Sequence, residues 1–262
     1  MVVSSTEIIW HALECGSYRA DLPLWRELAG AQDGPILDVG AGTGRVTLDL
    51  VCAGHSVTAL DLDPDLLGAL RERRGGLQVE TVCADACSFD LEQRDFALCL
   101  VPMQTVQLLG GSAERVAFLR SARAHLRPGG VLACAIVTVL EPFDCASGDI
   151  GPTPETARVG DALYVSRATR VDTRGRNFII ERERRIVPLE EGGPDEVSRN
   201  LRALSGYATH KPVVEHNVVE LDRVSAGELE REATTSGLRP EPAREIPSTD
   251  DHVGSTVVIL RA

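Results

Sequence analysis

No stretch of the sequence approaches the ~18 consecutive apolar residues of a membrane span. The first residues, MVVSSTEIIWHALECGSY, carry an early acid and no basic segment leading into an apolar run. Neither a leader nor a membrane anchor is therefore expected, and the sequence predicts a cytoplasmic protein with no membrane partner. Positive charge is scarce: 27 Lys and Arg stand against 39 Asp and Glu, a formal net charge of -12. Such a surface repels a phosphate backbone, so no nucleic-acid partner is expected and small-molecule chemistry is favoured. A disulfide framework is also missing, because Cys15, Cys52, Cys83, Cys87, Cys99, Cys134 and Cys145 are odd in number and scattered through apolar segments, as reduced thiols are. Cys83 and Cys87 lie close together, but no second ligand pair stands at zinc spacing, so no metal is expected. Internal repeats and low-complexity segments are absent.

What is present is an ordinary globular composition, 43% hydrophobic and 25% charged over 262 residues, enough for one large domain or a core with an inserted subdomain. From Gly34 to Leu140, short apolar runs alternate with glycine turns and amphipathic segments, the pattern of parallel βαβ units. Strands are expected at residues 35–39, 56–60, 77–83, 96–101 and 131–140, the last apolar on both faces like a central strand covered by helices. One helix is expected from Arg45 to Ala53, with Val46 and Leu50 a turn apart and Gly54 as its stop. Another runs from Asp63, a cap followed by Pro64 in the first turn, to Arg73. A third starts at a Ser112 cap and ends at Arg127. Ahead of the core, Asp21 is expected to cap a helix with Leu24, Trp25 and Leu28 that ends near Gly30.

Residues 141–156 are rich in proline, glycine and acids and read as a loop. Residues 163–171 and 178–187 read as a hairpin around Thr173, Arg174, Gly175 and Arg176, with a third strand at 213–221. Residues 188–211 have too little periodicity to assign. Ser225 with Glu228 is a capping box opening a helix to near Gly237, and residues 243–246 and 256–260 close the chain as two neighbouring strands. The expected organisation is a helical cap over residues 1–30, a core over 31–145 and 223–262, and an antiparallel β extension over 146–222.

The chemistry concentrates in Ile36-Leu37-Asp38-Val39-Gly40-Ala41-Gly42-Thr43-Gly44, a strand emptying into three alternating glycines and then a helix. Glycine permits the tight turn and close backbone approach that a bulky cofactor needs at a strand's carboxyl end. A dinucleotide fingerprint, G-x-G-x-x-G/A, would place a small residue where this chain has Arg45. Asp38 before the glycines also suits a cationic cofactor better than a pyrophosphate. Asp61 closes the second strand about twenty residues beyond Gly42, the separation at which an acid reaches ribose hydroxyls. It could instead be a second helix cap, but Asp63 already stands before Pro64, which leaves Asp61 free. Asp85-Ala86 follows the third strand, where an acid can accept from an adenine amino group or simply make a turn.

With these residues assembled, the chain resembles class I S-adenosylmethionine-dependent methyltransferases of the small-molecule type with a β-rich extension, over nearly its whole length. The matching stretches are ILDVGAGTGRVTLDLV, VTALDLDPDLL, the DA at positions 85 and 86, DFALCLVPMQTVQLLG and HLRPGGVL, with YRADLPLWRELA as the family's N-terminal cap. The resemblance implies a Rossmann-like seven-stranded sheet, mostly parallel with the last strand antiparallel, plus a small antiparallel β insertion. It implies S-adenosyl-L-methionine as cofactor, S-adenosyl-L-homocysteine as product, and methyl transfer to oxygen or nitrogen of a small-molecule acceptor. By the same resemblance the cofactor contacts are Tyr18, near the methionine end, Asp38, Gly40, Gly42, Gly44, Asp61, Leu62, Asp85, Ala86 and Val101. Met103, Gln104 and Gln107 follow strand four, where the family contacts acceptor or cofactor; many relatives carry asparagine where this sequence has Gln104.

A hydroxyl or protonated amine acceptor must lose a proton, which a nearby histidine or carboxylate would assist. The candidate is His252 with Asp251 or Asp250 to orient it, in a loop that returns over the cofactor edge if strand six is parallel; the same cluster also reads as a solvated polar turn. His216 alternates with Val214 and Val218 as a half-buried structural residue does. Arg167, Arg170, Arg174, Arg176, Arg182, Arg184 and Arg185 give the extension a local positive excess. It could meet an anionic acceptor or a second subunit of a homodimer, or pair across strands with Glu181 and Glu183. Two rivals remain: a non-catalytic S-adenosylmethionine-binding subunit and an NAD-dependent oxidoreductase.

Overall fold

Strands that are apolar on both faces must be covered from both sides. Accordingly, β1 (Ile36–Val39), β4 (Phe96–Val101) and most of β5 (Leu126–Ile136) are buried. The structure, a computed structural model, describes residues 6–189, 211–249 and 252–262. Together with β2 (Val57–Asp61), β3 (Glu80–Cys83), β11 (Arg239–Ile246) and β12 (Ser255–Arg261) these strands form a seven-stranded sheet in the order β11-β12-β5-β4-β1-β2-β3. β1 to β5 pair in parallel, and β12 is antiparallel to both β5 and β11. This is the Rossmann-like sheet that the sequence implied.

Because side chains alternate along a strand, the sheet feeds two clusters. Cys99, Val101, Leu132 and Cys134 face Phe118, Leu119 and Ala122 of α5 (Ser112–His125) and Leu229 and Ala233 of α6 (Ala226–Thr235). Leu98, Leu100, Ala133 and Ala135 face Leu24 and Trp25 of α2 (Leu22–Gly30) and Val46 and Leu50 of α3 (Arg45–Cys52). α4 (Pro64–Arg73) adds Leu67 and Leu70 against Ala59. Asp63 caps α4 by accepting from the amides of Asp65 and Leu66, and the Ser225–Glu228 capping box opens α6, both as expected.

Several expectations need correction. Asp21 stands at the N-cap of α2 but makes no cap bond, because its carboxylate is engaged by Arg45 and by Nε1 of Trp25. Ser112 is the first helical residue rather than the cap; Gly111 holds that place and the serine hydroxyl donates to Glu232 at 2.6 Å. α5 ends at His125, not Arg127, and β5 starts at Leu126, where a register shift against β4 absorbs Pro128 and the glycines. β5 stops at Ile136 because both backbone groups of Val137 bond the side-chain amide of Gln107. β3 starts at Glu80, after a turn in which the Leu77 amide donates to the Arg74 carbonyl. β11 starts at Arg239, ahead of Pro240 and Pro242, which an edge strand tolerates through the irregularity between Glu241 and Arg244.

By contacts the chain divides into two compact units, and the second comprises Ile9–Ser17 with Glu141–Glu220. Its sheet has β6 (Phe143–Asp144), β7 (Glu155–Val159), β8 (Ala162–Arg174), β9 (Asn177–Pro188) and β10 (Val213–Asp222) in the order β10-β9-β8-β6, with β7 also on β8. The 141–156 segment therefore holds strand β6, a 3-10 turn at Cys145–Ser147 and the start of β7, not a plain loop. The β8–β9 hairpin turns at Gly175, whose φ of 59° is the left-handed conformation glycine allows. One face buries Leu163, Val165 and Val187. Residues of α1 (Thr6–Gly16) bring the fully buried Trp10, edge-on to Tyr164 at 5.0 Å, and Glu14, which accepts from Arg184 at 2.8 Å and Ser166 at 2.7 Å. Most of residues 188–211 lie outside the described residues. Among the described residues, no helix is long and apolar enough to cross a membrane.

Candidate functional site

β1 delivers Asp38 to the carboxyl edge of the sheet and the chain then turns through Gly40, Gly42 and Gly44, with φ of 74°, 53° and 88°. The amides of Gly40 and Ala41 both donate to the Leu60 carbonyl, which pins the loop to β2. At Gly40 a Cβ would come within 2.5 Å of Thr105, and at Gly44 within 2.7 Å of Leu70. These two glycines thus also serve the packing of the chain's own strand-four loop and α4. Asp38 is buried and accepts from the Thr47 hydroxyl at 2.6 Å through Oδ2, while Oδ1 is enclosed without a partner among the described residues. Burial pushes the Asp38 carboxyl up to about 6; the Thr47 bond and Arg45 oppose that rise, and Asp61 adds to it.

Asp61, closing β2, is not idle as the sequence suggested. Oδ2 accepts from the Gly42 amide at 2.7 Å and Oδ1 from the Asp63 amide at 2.9 Å. Each oxygen keeps a second lone pair, so the carboxylate is held in one orientation with acceptor capacity to spare. Leu62 beside it is 69% exposed, an apolar face presented to solvent at the same edge. Asp85 follows β3, is exposed, and accepts from the Cys87 amide at 2.8 Å, so the turn role is present; Ala86 packs partly against the core.

After β4 the Val101 side chain is buried within the core cluster. Met103 has φ 55°, the one non-glycine residue with positive φ among the described residues, and its side chain packs against the cluster that holds the buried residues of α2 and α3. Gln104 is half-buried and its carbonyl accepts from the Gln107 amide. Gln107 itself is placed in the interior: Nε2 donates to the carbonyls of Val137 at 3.0 Å and Asp222 at 2.7 Å, and Oε1 accepts from Val137 at 2.7 Å. Both amide hydrogens are engaged, so the side chain has no donor left for an acceptor molecule.

Tyr18 is buried, its hydroxyl has no partner among the described residues, and its ring lies 4.8 Å from that of His252. Asp250 and Asp251 lie outside the described residues. His216 is exposed on β10. The sequence reading missed Arg45, Asp21, Thr47 and Thr105 as parts of this edge. The available signal was Arg45 itself, a cation at the N-terminus of a helix, where the backbone dipole disfavours it without an anionic partner.

Residues 36–130 match the family model described as a methyltransferase domain. This part of the chain is similar to methyltransferase domains. The cypemycin N-terminal methyltransferase of a Streptomyces species is 32% identical over 133 residues, covering 50% of this chain and 53% of that protein. The ubiquinone biosynthesis O-methyltransferase of Xanthomonas euvesicatoria is 32% identical over 111 residues, covering 40% and 43%. The chain thus spans about half the length of the curated relatives it matches. The structure of SAM-bound CalS10, an amino pentose methyltransferase from Micromonospora echinaspora, superposes with a TM-score of 0.64 at 20% identity, covering 97% of this chain and 96% of that one. DesVI of Streptomyces venezuelae gives a TM-score of 0.66 at 18% identity, covering 98% of both chains. Residues 36–130 and the segments around them therefore share the fold of these two proteins over almost the full length.

Proposed function

We propose that the protein transfers a methyl group from S-adenosylmethionine to an oxygen or nitrogen of a small molecule. The observation that carries this reading is the paired acids at the glycine loop: Asp38 with an enclosed, unpartnered oxygen, and Asp61 held in one orientation by two backbone amides. This donor set fits the cofactor's chemistry. Asp38 Oδ1 would accept from the ammonium of the methionine portion, which would also draw the raised carboxyl back to its charged form. The spare lone pairs of Asp61 match two ribose hydroxyls, exposed Leu62 offers an apolar face to a purine, and Asp85-Ala86 would meet the purine edge. Gly40, Gly42 and Gly44 let the backbone approach, and Tyr18, whose carbonyl accepts from Arg45 next to the same loop, would lie at the methionine end.

When bound, S-adenosylmethionine supplies a methyl group on a sulfonium, whose leaving sulfur needs no proton. The chain's task is then to position and desolvate an acceptor and to take its proton. Met103 and Gln104, after β4, would face the acceptor, and His252, already beside Tyr18, would take the proton with Asp251 orienting it. The names of the relatives, N-terminal, sugar and ubiquinone-precursor methyltransferases, support an oxygen or nitrogen of a small molecule. All seven cysteines are free thiols, which supports a reducing, cytoplasmic setting.

Calorimetry with S-adenosylhomocysteine tests the cofactor site. Asp61→Ala should lower affinity about 100-fold, since it removes two hydrogen bonds to a charged group. Equal affinity in the variant, or binding of NAD in place of S-adenosylhomocysteine, sinks the reading. His252→Ala should lower kcat by about 10²–10⁴ while leaving that affinity unchanged; an unaltered kcat removes the histidine from the mechanism.

A further inference from the structure

His125, the last residue of α5, is buried, and both of its ring nitrogens are engaged by backbone groups. Nδ1 lies 2.7 Å from the Ser121 carbonyl, which can only accept, so Nδ1 carries the hydrogen. Nε2 accepts from the Leu91 amide at 2.9 Å, which requires a bare nitrogen at that position. Asp90 Oδ1 is 3.8 Å from Nε2, beyond hydrogen-bond range, and is exposed and paired with Arg94. The imidazole also lies 4.6 Å from the ring of Phe89, which is buried in the core.

Leu91 and Phe89 belong to residues 84–95, the segment between β3 and β4, which contains neither strand nor helix. α5 holds the same segment at a second point, where the Ser121 hydroxyl donates to the Cys87 carbonyl at 3.2 Å. Cys87 in turn donates its amide to Asp85 Oδ1 at 2.8 Å. A segment with no ladder of its own keeps one shape only where its backbone groups find fixed partners. Here two side chains one helical turn apart on α5 provide them, on the carboxyl side of Asp85.

We propose that His125 is a positioning residue for purine recognition: by holding Leu91 and Phe89 it fixes the loop in which Asp85 presents its carboxylate to a 6-amino group. This rests on the S-adenosylmethionine reading above and adds to it a determinant of base preference that lies in the core. His125 touches no ligand and acts through the loop. What the loop requires of it is an acceptor at the Nε2 position, because the Leu91 amide is otherwise left without a partner.

The test uses the full chain and two ligands that differ at one group: S-adenosylhomocysteine, and S-inosylhomocysteine, whose purine has an oxygen in place of the amino group. By calorimetry the parent should bind the first about tenfold more tightly, the worth of one hydrogen bond to a charged group. Asparagine can place an amide nitrogen where Nδ1 stands, and glutamine an oxygen where Nε2 stands. His125→Asn therefore keeps the Ser121 bond, orphans the Leu91 amide, and should cut the preference to about twofold by weakening S-adenosylhomocysteine alone. His125→Gln keeps an acceptor for Leu91 and should retain the preference. Ser121→Ala, which releases the Cys87 carbonyl, should narrow it in the same direction and gives a second route if His125→Asn fails to fold. Asp85→Ala should abolish the preference, and adding His125→Asn to it should cost nothing further, because both changes remove one contact. Equal losses for both ligands in His125→Asn, or a glutamine variant as poor as the asparagine one, would overturn the positioning role. So would an undiminished preference in His125→Asn or, where that variant does not fold, in Ser121→Ala. A parent protein that binds neither ligand, or a preference that survives Asp85→Ala, overturns the cofactor assignment itself, and the role of His125 with it.

Discussion

In the seven-stranded sheet, β4 is buried at every position, and from Leu98 to Val101 its side chains alternate between two apolar clusters. In the second compact unit, β8 and β9 bury Leu163, Val165 and Val187 on one side, while Ser166, Arg182 and Arg184 meet Glu14 and Glu155. The first region is stabilised by non-directional burial and can hold strained or ligand-facing groups at its edge. The second depends on charges that must all be present, since a buried charge without its partner is strongly unfavourable. Two acids show the difference. Burial raises Asp38 to about 6. Burial would raise Glu14 too, but bonds from Arg184 and Ser166 and the charge of Arg182 outweigh it and lower its pKa.

The largest effect that would sharpen this comparison is expected at Arg184. Arg184→Met leaves the buried Glu14 without its ion-pair partner, with the Ser166 bond remaining, and should cost about 3–5 kcal/mol in urea unfolding, whereas Glu14→Leu/Arg184→Met together should be close to neutral. If the single and double variants are equally stable, the second unit does not rest on its ion pair. Gln107→Leu comes next, because it orphans both backbone groups of Val137 and the carbonyl of Asp222. The expected loss is about 2–4 kcal/mol, by the same measurement.

The smallest effect is a difference in pH response. With a folded pKa of about 6 against an ordinary 3.8, Asp38 binds more protons in the fold than in the unfolded chain, so its contribution to stability falls as pH rises through that window. Asp38→Asn should therefore melt progressively above the parent, by several degrees, on going from pH 4 to pH 7, and should bind S-adenosylhomocysteine more weakly. Glu14 has the opposite sign: its lowered pKa gives stability that is present above about 4.5 and lost as acid protonates it. Parallel Tm profiles for Asp38→Asn and the parent would break the comparison.

Much of the cofactor edge was legible because its signals are local. The Asp63-Pro64 start, the Gly54 stop and the Ser225–Glu228 box each depend on residues within one turn of one another. The alternating glycines follow a strand within the same short segment. Misreadings arose where a distant partner competed for a side chain with a good local role. Asp21 looked like a cap and Ser112 looked like a cap, until Arg45 and Glu232 supplied stronger partners far along the chain. Gln107 looked like a ligand contact because of its place after strand four, and nothing nearby announces the backbone of Val137 and Asp222. The prolines at 240 and 242 argued against a strand that, lying at the sheet edge, accepts them.

By itself, then, the sequence determined the βαβ alternation, the glycine turn, the acids at successive strand ends and the antiparallel extension, because periodicity and backbone preference act over a few residues. Tertiary structure alone decided which polar groups are left without a partner. Among the described residues, Asp38 Oδ1 and the Tyr18 hydroxyl are enclosed and unpaired, while Asp61 and Gln107 are engaged. Satisfaction of a donor or acceptor is a property of everything packed around it, and that is settled only when segments far apart in the chain come together.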